Sequence, residues 1–274
     1  PAELQVRNPR TAATFNIGGP IRIPKIYSND RLAFYFTYLG SRASNPFNAL
    51  STMPSAAERG GDFSQAAVAS GPVTIYDSQA AAPFPGNIIP VSRVNPVSAG
   101  LLQFFPLPTY QQLAVQNYQI VSSSKASSDN YGFRQNLPLS RKDRVNVNFN
   151  YQTRTGNSPT LLGFRDASDG SGFNSSLGYS HSFAPRLNSN LTWSFSRSKG
   201  NVVPYFAYSE NLAAELGISG TTQEPIAYGP PNLSFTNFGG LADGAASISR
   251  NQTSSINEGI TFVRKKHNLT LGVG

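Results

Sequence analysis

Apolar and polar residues alternate along this chain with a period of two. In "VNVNFNYQ", Val145, Val147, Phe149 and Tyr151 fall on one side and Asn146, Asn148, Asn150 and Gln152 on the other. Successive strand side chains face opposite ways, so the segment predicts a strand with one apolar face and one uncharged, hydrogen-bonding face. The same reading predicts eight long strands: Thr11–Ile23, Arg31–Arg42, Asp129–Leu137, Arg144–Thr155, Asn174–Phe183, Leu187–Lys199, Asn251–Arg264 and one from His267 onward. Phe34, Phe36 and Tyr38 share a face, as do Leu177, Tyr179, His181 and Phe183, and Leu191, Trp193 and Phe195. The question is whether the apolar face covers a protein core or meets lipid.

The connections alternate in length. "PKIYSND", closed by Asn29-Asp30, "PLSRKD", "APR" and "KKH" are short; about 43–127, 156–173 and 200–250 are medium to long. The first long loop contains a short helix after Pro54, a short strand at "VTIYD" and an amphipathic helix over Val94–Phe105 stopped by Pro106 and Pro108. The last holds a helical turn or two at "SENLAAELG". Strands of about 9–14 residues exceed the length of ~5–6 usual in soluble sheets, whereas a tilted membrane-crossing strand needs ~9–11. Short turns at one end and long loops at the other are the pattern of outer-membrane barrels. The expectation is an all-β fold: a curved antiparallel meander of eight strands, part of a large transmembrane barrel, with its asparagine face on a watery lumen.

Composition supports a neutral, strand-and-turn protein. Charged residues are only 13% of the 274, against about 25% in ordinary soluble domains, and there are 24 Gly and 20 Pro. No Cys is present, which excludes disulfides and thiolate metal sites. No run of 18 apolar residues suggests a transmembrane helix. The opening "PAELQVRNPR" has no apolar signal region and the end stops inside a strand pattern, so the expectation is a piece of a longer protein. The net charge of +8 does not read as a nucleic-acid surface. Lys25, Arg31, Arg141, Lys142, Arg144, Arg186, Arg264, Lys265 and Lys266 sit in or beside short turns, an arrangement expected to keep the middle of each strand free of charge.

Several stretches go beyond pattern. Gly18-Gly19-Pro20-Ile21, then Phe34-Tyr35-Phe36, then Gly40-Ser41-Arg42 resemble the early barrel hairpin of TonB-dependent outer-membrane receptors of the Oar-like group, which carry a carboxypeptidase-regulatory-like domain. "MPSAAERGGDFS" is similar to that family's "VPTAAMRAGDFS". "TIYDSQAAAPFPGNIIPVSRVNPVSAGLLQFFPLP", Thr74–Pro108, is similar in order and spacing to its "IYDP…PFPGNRIPASRIDPVAQALLPLYPLP". "AELGISG" and the hairpins "LSRKDRVNVNFNYQ" and "FVRKKHNLTLGVG" extend the resemblance over nearly the whole chain. It departs at Ile17, where the family more often shows Leu or Phe, and in the stretched turn after Lys25. The resemblance implies about one third of a barrel of some 22 strands. Plug domain, TonB box and last strands are not in this sequence. Implied partners are outer-membrane lipid, the TonB complex through the plug, and an unknown solute: oligosaccharide, peptide or metal chelate.

Nothing in the sequence predicts catalysis or a cofactor. The fourteen acids are scattered, mostly in loops. Asp166 and Asp169 in "FRDASDGSG" faintly suggest a calcium loop, without the required final Glu. "GYSHS" is not a nucleophile elbow, and His181, in the apolar register, reads as an interfacial histidine. Five N-x-S/T sequons match what an Asn-, Ser- and Thr-rich chain gives by chance. Phe104, Phe105, Pro106 and Pro108 read as loop packing or a ligand-contact cluster. Tyr205, Tyr208, Tyr228, Phe235 and Phe238 are the ligand-binding candidates, placed in an aromatic-rich loop at a transporter's mouth. Two other functions fit less well. A surface adhesion or structural β protein requires apolar faces packed on each other. A secreted carbohydrate-active protein requires paired carboxylates, and the strands offer almost no acids.

Overall fold

The computed structural model describes residues 8–23, 27–68 and 70–274, with backbone alone at 22–23 and 27–31. Eight long strands form one antiparallel meander in which each strand pairs with its sequence neighbour. They are β1 (Arg10–Ile23), β2 (Tyr27–Ser51), β3 (Tyr118–Pro138), β4 (Asp143–Pro159), β5 (Arg165–Ala184), β6 (Leu187–Val203), β7 (Ser247–Arg264) and β8 (His267–Val273). β1 and β8 do not pair, so the sheet is open. Among the described residues no helix is long and apolar enough to cross a membrane. β1–β7, of 14 to 25 residues, are long enough to cross as strands, and β8 has 7.

Register carries the two-faced pattern across the whole sheet. Phe15 pairs with Tyr38, Tyr38 with Tyr131 and Tyr131 with Tyr151. Val147 pairs with Leu177, Leu177 with Trp193 and Trp193 with Ile256. On the opposite face Thr37, Gly132, Asn150, Asn174, Ser196 and Thr253 form one row. This second face is the inside of the curve: a groove of about 440 Å³ runs over it, lined by Thr37, Arg134, Asn148, Asn150, Ser194 and Thr253.

The apolar face lies uncovered. Ile17, Leu177, Trp193 and Ile256 are all exposed, Ile256 at 63%. Against the expectation of charge-free mid-strand positions, Glu258 lies on this face between Ile256 and Ile260, opposite Leu191, where its carboxylate accepts from the Ser189 hydroxyl. The buried hydrophobic residues Met53, Leu101, Phe105, Phe206, Leu212, Ala213 and Leu241 all lie in the loops, none in a strand. The packed faces that a sandwich or adhesion fold requires are therefore not found among the described residues. A bare apolar face eight strands wide far exceeds the few hundred Å² a soluble monomer exposes, and its solvent is lipid.

Two polar-aromatic borders bound this face. At the short-turn end the Asp143 carboxylate accepts from the Tyr179 hydroxyl (2.7 Å) and lies 2.6 Å from His181 Nδ1, and the His181 ring packs edge-on against Phe183. At the long-loop end Tyr131 packs on Tyr38 and Tyr151 at 5.2 and 6.5 Å, and Tyr38 and Arg42 both donate to Asp129. From Asp143 to Tyr151 is ~26 Å of strand, or ~20 Å of height at a 40° tilt, close to the ~25 Å band of an outer-membrane barrel.

Several boundaries differ from expectation, all at strand ends. The segment 156–173, expected as a medium loop, is mostly strand: Gly156 pairs with Ser168 and Pro159 with Arg165, leaving only residues 160–164 to connect β4 and β5. The loop 43–127 narrows to 52–117 because β2 and β3 stay paired from Ala43↔Ala126 to Ser51↔Tyr118. Pro46 is tolerated there because this stretch of β2 pairs on one side only among the described residues. The loop 200–250 narrows to 204–246. Asn29 and Asp30 lie within β2 and do not close the first turn, whose residues 24–26 are outside the described set. The helix expected over Val94–Phe105 is only Pro96–Leu102 (α2), with Asn95 accepting from the Val97 N–H as N-cap and a 3-10 turn before it. Ala56–Arg59 (α1) and Leu212–Glu215 (α3) form single turns as expected. "VTIYD" contributes only Tyr76 and Asp77, paired with Ala82 and Pro83.

Candidate ligand-binding cap

The loops 52–117, 160–164 and 204–246 pack into one cap on the long-loop end of the sheet. Its centre is Met53, Leu101, Phe105 and Leu241, with Val97, Leu102, Leu161, Phe164, Leu216 and Leu233 around it. Met53 and Leu241 are completely buried. The base of the first loop is clasped by buried Asn117, which accepts from the Met53 N–H (2.7 Å) and donates to the Met53 carbonyl (2.9 Å). The third loop is joined to it by the Gly239 N–H donating to the Thr52 carbonyl.

The Thr74–Pro108 block owes its distinctive sequence to this construction. Gly86 and Asn87 are consecutive left-handed residues (φ 63° and 62°), a conformation that glycine and asparagine tolerate best. The Asn87 amide then donates to the Phe63 and Val73 carbonyls and accepts from the Ile75 N–H, tying three segments together. A side chain at Gly61 (φ 90°) would strike the Ile89 carbonyl. Arg59 donates to the carbonyls of Pro54, Leu102 and Pro106, and burial lowers its pKa from the usual guanidinium range. Phe104 and Phe105 pack edge-on against Phe206 and Phe235, so of the two expectations for this cluster loop packing is the one observed.

The five candidate residues do not form one patch. Tyr205 is exposed, although it stacks on Phe164 at 5.4 Å. Tyr208 is 65% exposed in a left-handed turn, and its N–H donates to the Pro225 carbonyl, close in the chain to half-buried Tyr228. Phe235 is exposed with one edge on Phe105, and Phe238 is half-buried beside the Gly239 contact. The exposed set is thus Tyr205, Tyr208 and Phe235. Asn117, Arg59 and Met53 carry the cap without having stood out in the sequence; only their positions, Met53 just before Pro54, Arg59 in the turn that follows it and Asn117 just before a strand, could have marked them.

Asp166 and Asp169 do not converge on a common ligand. They lie on opposite faces of β5: buried Asp166 accepts from the Tyr205 N–H, and Asp169 accepts from the Asn201 amide. Asp166 instead faces a second acid of the cap, Asp243. Burial raises the Asp243 pKa and Asp166 raises it further, against the opposing Phe206 N–H; its Oδ2 is buried without a partner. A folded-state pKa above the unfolded one means that the folded cap holds this proton more tightly, so cap stability falls as pH rises from the unfolded value through the raised one. We expect loops 204–246 to resist surface protease better at about pH 4, near the unfolded carboxylate value, than at about pH 8, and Asp243→Asn to abolish the difference. Equal pH dependence in the variant would refute this origin.

On the lumen face the described strands carry Arg134, Arg144 and Arg154 among Asn, Ser and Thr. Arg134 donates to Asn148, which donates to Ser176, and Asn150 donates to Asn130. A second groove of about 520 Å³ continues this face towards the cap past Gln152, Arg154, Ser168 and Ser249. A polar groove therefore runs along the wall towards the strand ends from which the cap loops leave.

A family model described as the outer membrane beta barrel domain matches residues 8–274. The chain belongs to that family. The barrel wall resides in the bacterial outer membrane, which is the lipid that its exposed face requires. No curated protein matches the chain. Among solved structures it is similar to the open form of the ferric-catecholate import receptor Fiu of E. coli K12, at 8% identity and a TM-score of 0.41, over 97% of this chain and 35% of that one. The chain thus spans about a third of that receptor's length.

Proposed function

We propose that this barrel segment belongs to a TonB-dependent receptor of the Oar-like group, in which it supplies lipid-facing wall, lumen surface and the outer loops that first meet solute. The whole protein takes up a scarce solute too large for porins (an oligosaccharide, peptide or metal chelate), with energy reaching it through a plug domain and TonB. It carries out no catalysis. The observation that carries this reading is the cap: three loops from one end of the sheet share a buried core, present Tyr205, Tyr208 and Phe235 outward and leave the strands at the end that a polar groove reaches. The resemblance of Thr74–Pro108 to the Oar-like block supports it. Short turns then lie on the periplasmic side and the cap outside.

The test uses cells carrying the complete gene. Tyr208→Cys is expected to react with a membrane-impermeant maleimide on intact cells, and Phe149→Cys to report hydrocarbon through a lipid-partitioning spin label. Cells are also fed a mixture of oligosaccharides, peptides and ferric chelates, and its depletion is followed by mass spectrometry. Gene-dependent depletion of one class that ceases when TonB is deleted, and weakens at least tenfold in the Tyr205→Ala/Tyr208→Ala/Phe235→Ala variant, is the expected result. Depletion indifferent to the gene or to TonB overturns it.

A further inference from the structure

Charge is segregated along the barrel axis. The two long loops of the cap carry seven acids against two cations, Arg59 and Arg93. The described short turns carry the reverse: Arg141 and Lys142, Arg186, and Arg264, Lys265 and Lys266, all exposed. Two acid side chains are described near that end: the Asp143 carboxylate is occupied by Ser140, Tyr179 and His181, and Glu258, one register pair further along the lipid-facing side, accepts from Ser189. Among the described residues no cation of the turns is paired with either.

The local structure fixes these charges in a row. Ser140 Oγ accepts from the Lys142 and Asp143 N–H groups and closes the first turn. Each of the first two turns is stitched to the next strand along: the Ser182 N–H donates to the Lys142 carbonyl, and the Val263 N–H to the Arg186 carbonyl. Lys265 holds a left-handed φ of 52°, a position where glycine or asparagine costs less. Neighbouring turns lie two strands apart, ~10 Å, close to the ~8 Å screening length at physiological ionic strength, so their fields overlap. The row also borders the lipid-facing band. Arg264 continues the register of Ile260 and Phe262, and Phe183, Phe262 and Leu269 are exposed beside it.

We propose that this basic rim binds the phosphate headgroups of anionic phospholipids in the periplasmic leaflet. Cations at the depth where hydrocarbon ends meet lipid phosphates directly, and each contributes about a fivefold preference for an anionic headgroup. The inference rests on the membrane location and on the assignment of the short turns to the periplasmic side.

The test reconstitutes the complete protein into nanodiscs of phosphatidylethanolamine with a minority of phosphatidylglycerol and reads retained lipids by native mass spectrometry. The wild type is expected to retain phosphatidylglycerol well above its bulk share, and less of it as salt rises. Changing Arg141, Lys142, Arg186, Lys265 and Lys266 together to Gln should cut this enrichment at least tenfold; Arg134→Gln/Arg154→Gln, on the lumen face, should leave it intact. Should the fivefold variant fail to insert, the salt series on the wild type decides. Retention at the bulk ratio, enrichment indifferent to salt, or equal enrichment in the rim variant overturns the proposal. Displacement by equimolar inorganic phosphate assigns the rim to free anions, and capture of a protein by a photocrosslinker at position 266 in cells assigns it to an acidic protein partner. Sidedness is checked separately by the maleimide accessibility of Lys266→Cys in intact cells.

Discussion

Phe149→Arg is expected to abolish assembly of the barrel, whereas Asn150→Arg, its neighbour in sequence, is expected to leave it standing. Phe149 lies between the two polar-aromatic borders and packs edge-on against Phe173 at 5.0 Å on the uncovered face. Arginine on the lipid face of a barrel costs about 2–4 kcal/mol at the midplane and ~0–1 at the interfaces. Two residues inside the Tyr151 border the cost is intermediate, about 1–3 kcal/mol, to which loss of the Phe173 contact adds about 1, together a large share of the stability of a marginally stable fold. Asn150 lies on the inside of the curve, where Arg134 and Arg154 are already accommodated. Its replacement forfeits one hydrogen bond, to Asn130, worth about 1 kcal/mol. The measurement is the heat-modifiable electrophoretic band of the full-length protein in outer-membrane fractions. Equal loss in both variants would mean that both faces are packed against protein, and the lipid assignment would fall.

The second large effect is confined to the cap. Leu241→Ala empties a completely buried site between the first and third loops and is expected to cost about 2–5 kcal/mol. Because the buried core of this chain lies in its loops, the damage should stay there: surface protease should cleave within 204–246 while the heat-modifiable band persists. Leu241→Met, nearly equal in volume, should restore protection. A variant that lost the band as well would show that cap and wall fold as one unit.

How far the sequence could be read follows from where lipid acts. Between the two borders, hydrocarbon favours an apolar residue at every second position, with Ser175, Ser254 and Glu258 among the exceptions, and there Val145–Tyr151 and Leu191–Phe195 announce their strands, faces and register. Beyond the long-loop border both faces of a strand are wet. Tyr118–Ser128, "YQIVSSSKASS", therefore carries no alternation and is held in β3 by backbone pairing with Ser41–Ser51. The same holds for Gly156–Pro159 and Arg165–Gly172, which read as loop and form strand. The cap was legible in its local chemistry, since the glycines, prolines and Asn87 marked turns. It was not legible in its partners. The contacts joining Met53 to Asn117 and Phe105 to Phe235 span long separations that no short pattern encodes. For the same reason the exposed Tyr205 and Tyr208 could be nominated from sequence, but not separated from half-buried Tyr228 and Phe238.

The Asn117 clasp also bears on the order in which the wall can be built. Most pairings in a meander join neighbours across tight turns and form readily, but β2 and β3 must find each other across residues 52–117. Closing so long a loop costs about 2 kcal/mol more entropy than closing a short turn. Met53 stands two residues after β2 and Asn117 immediately before β3, so their paired hydrogen bonds join the two ends of that loop. A cap that condenses first presents the two strands already side by side, and zippering can proceed from there towards the membrane. Loss of the clasp should then slow insertion more than it destabilises the finished barrel, making this loop a kinetic element of biogenesis as well as a surface for solute.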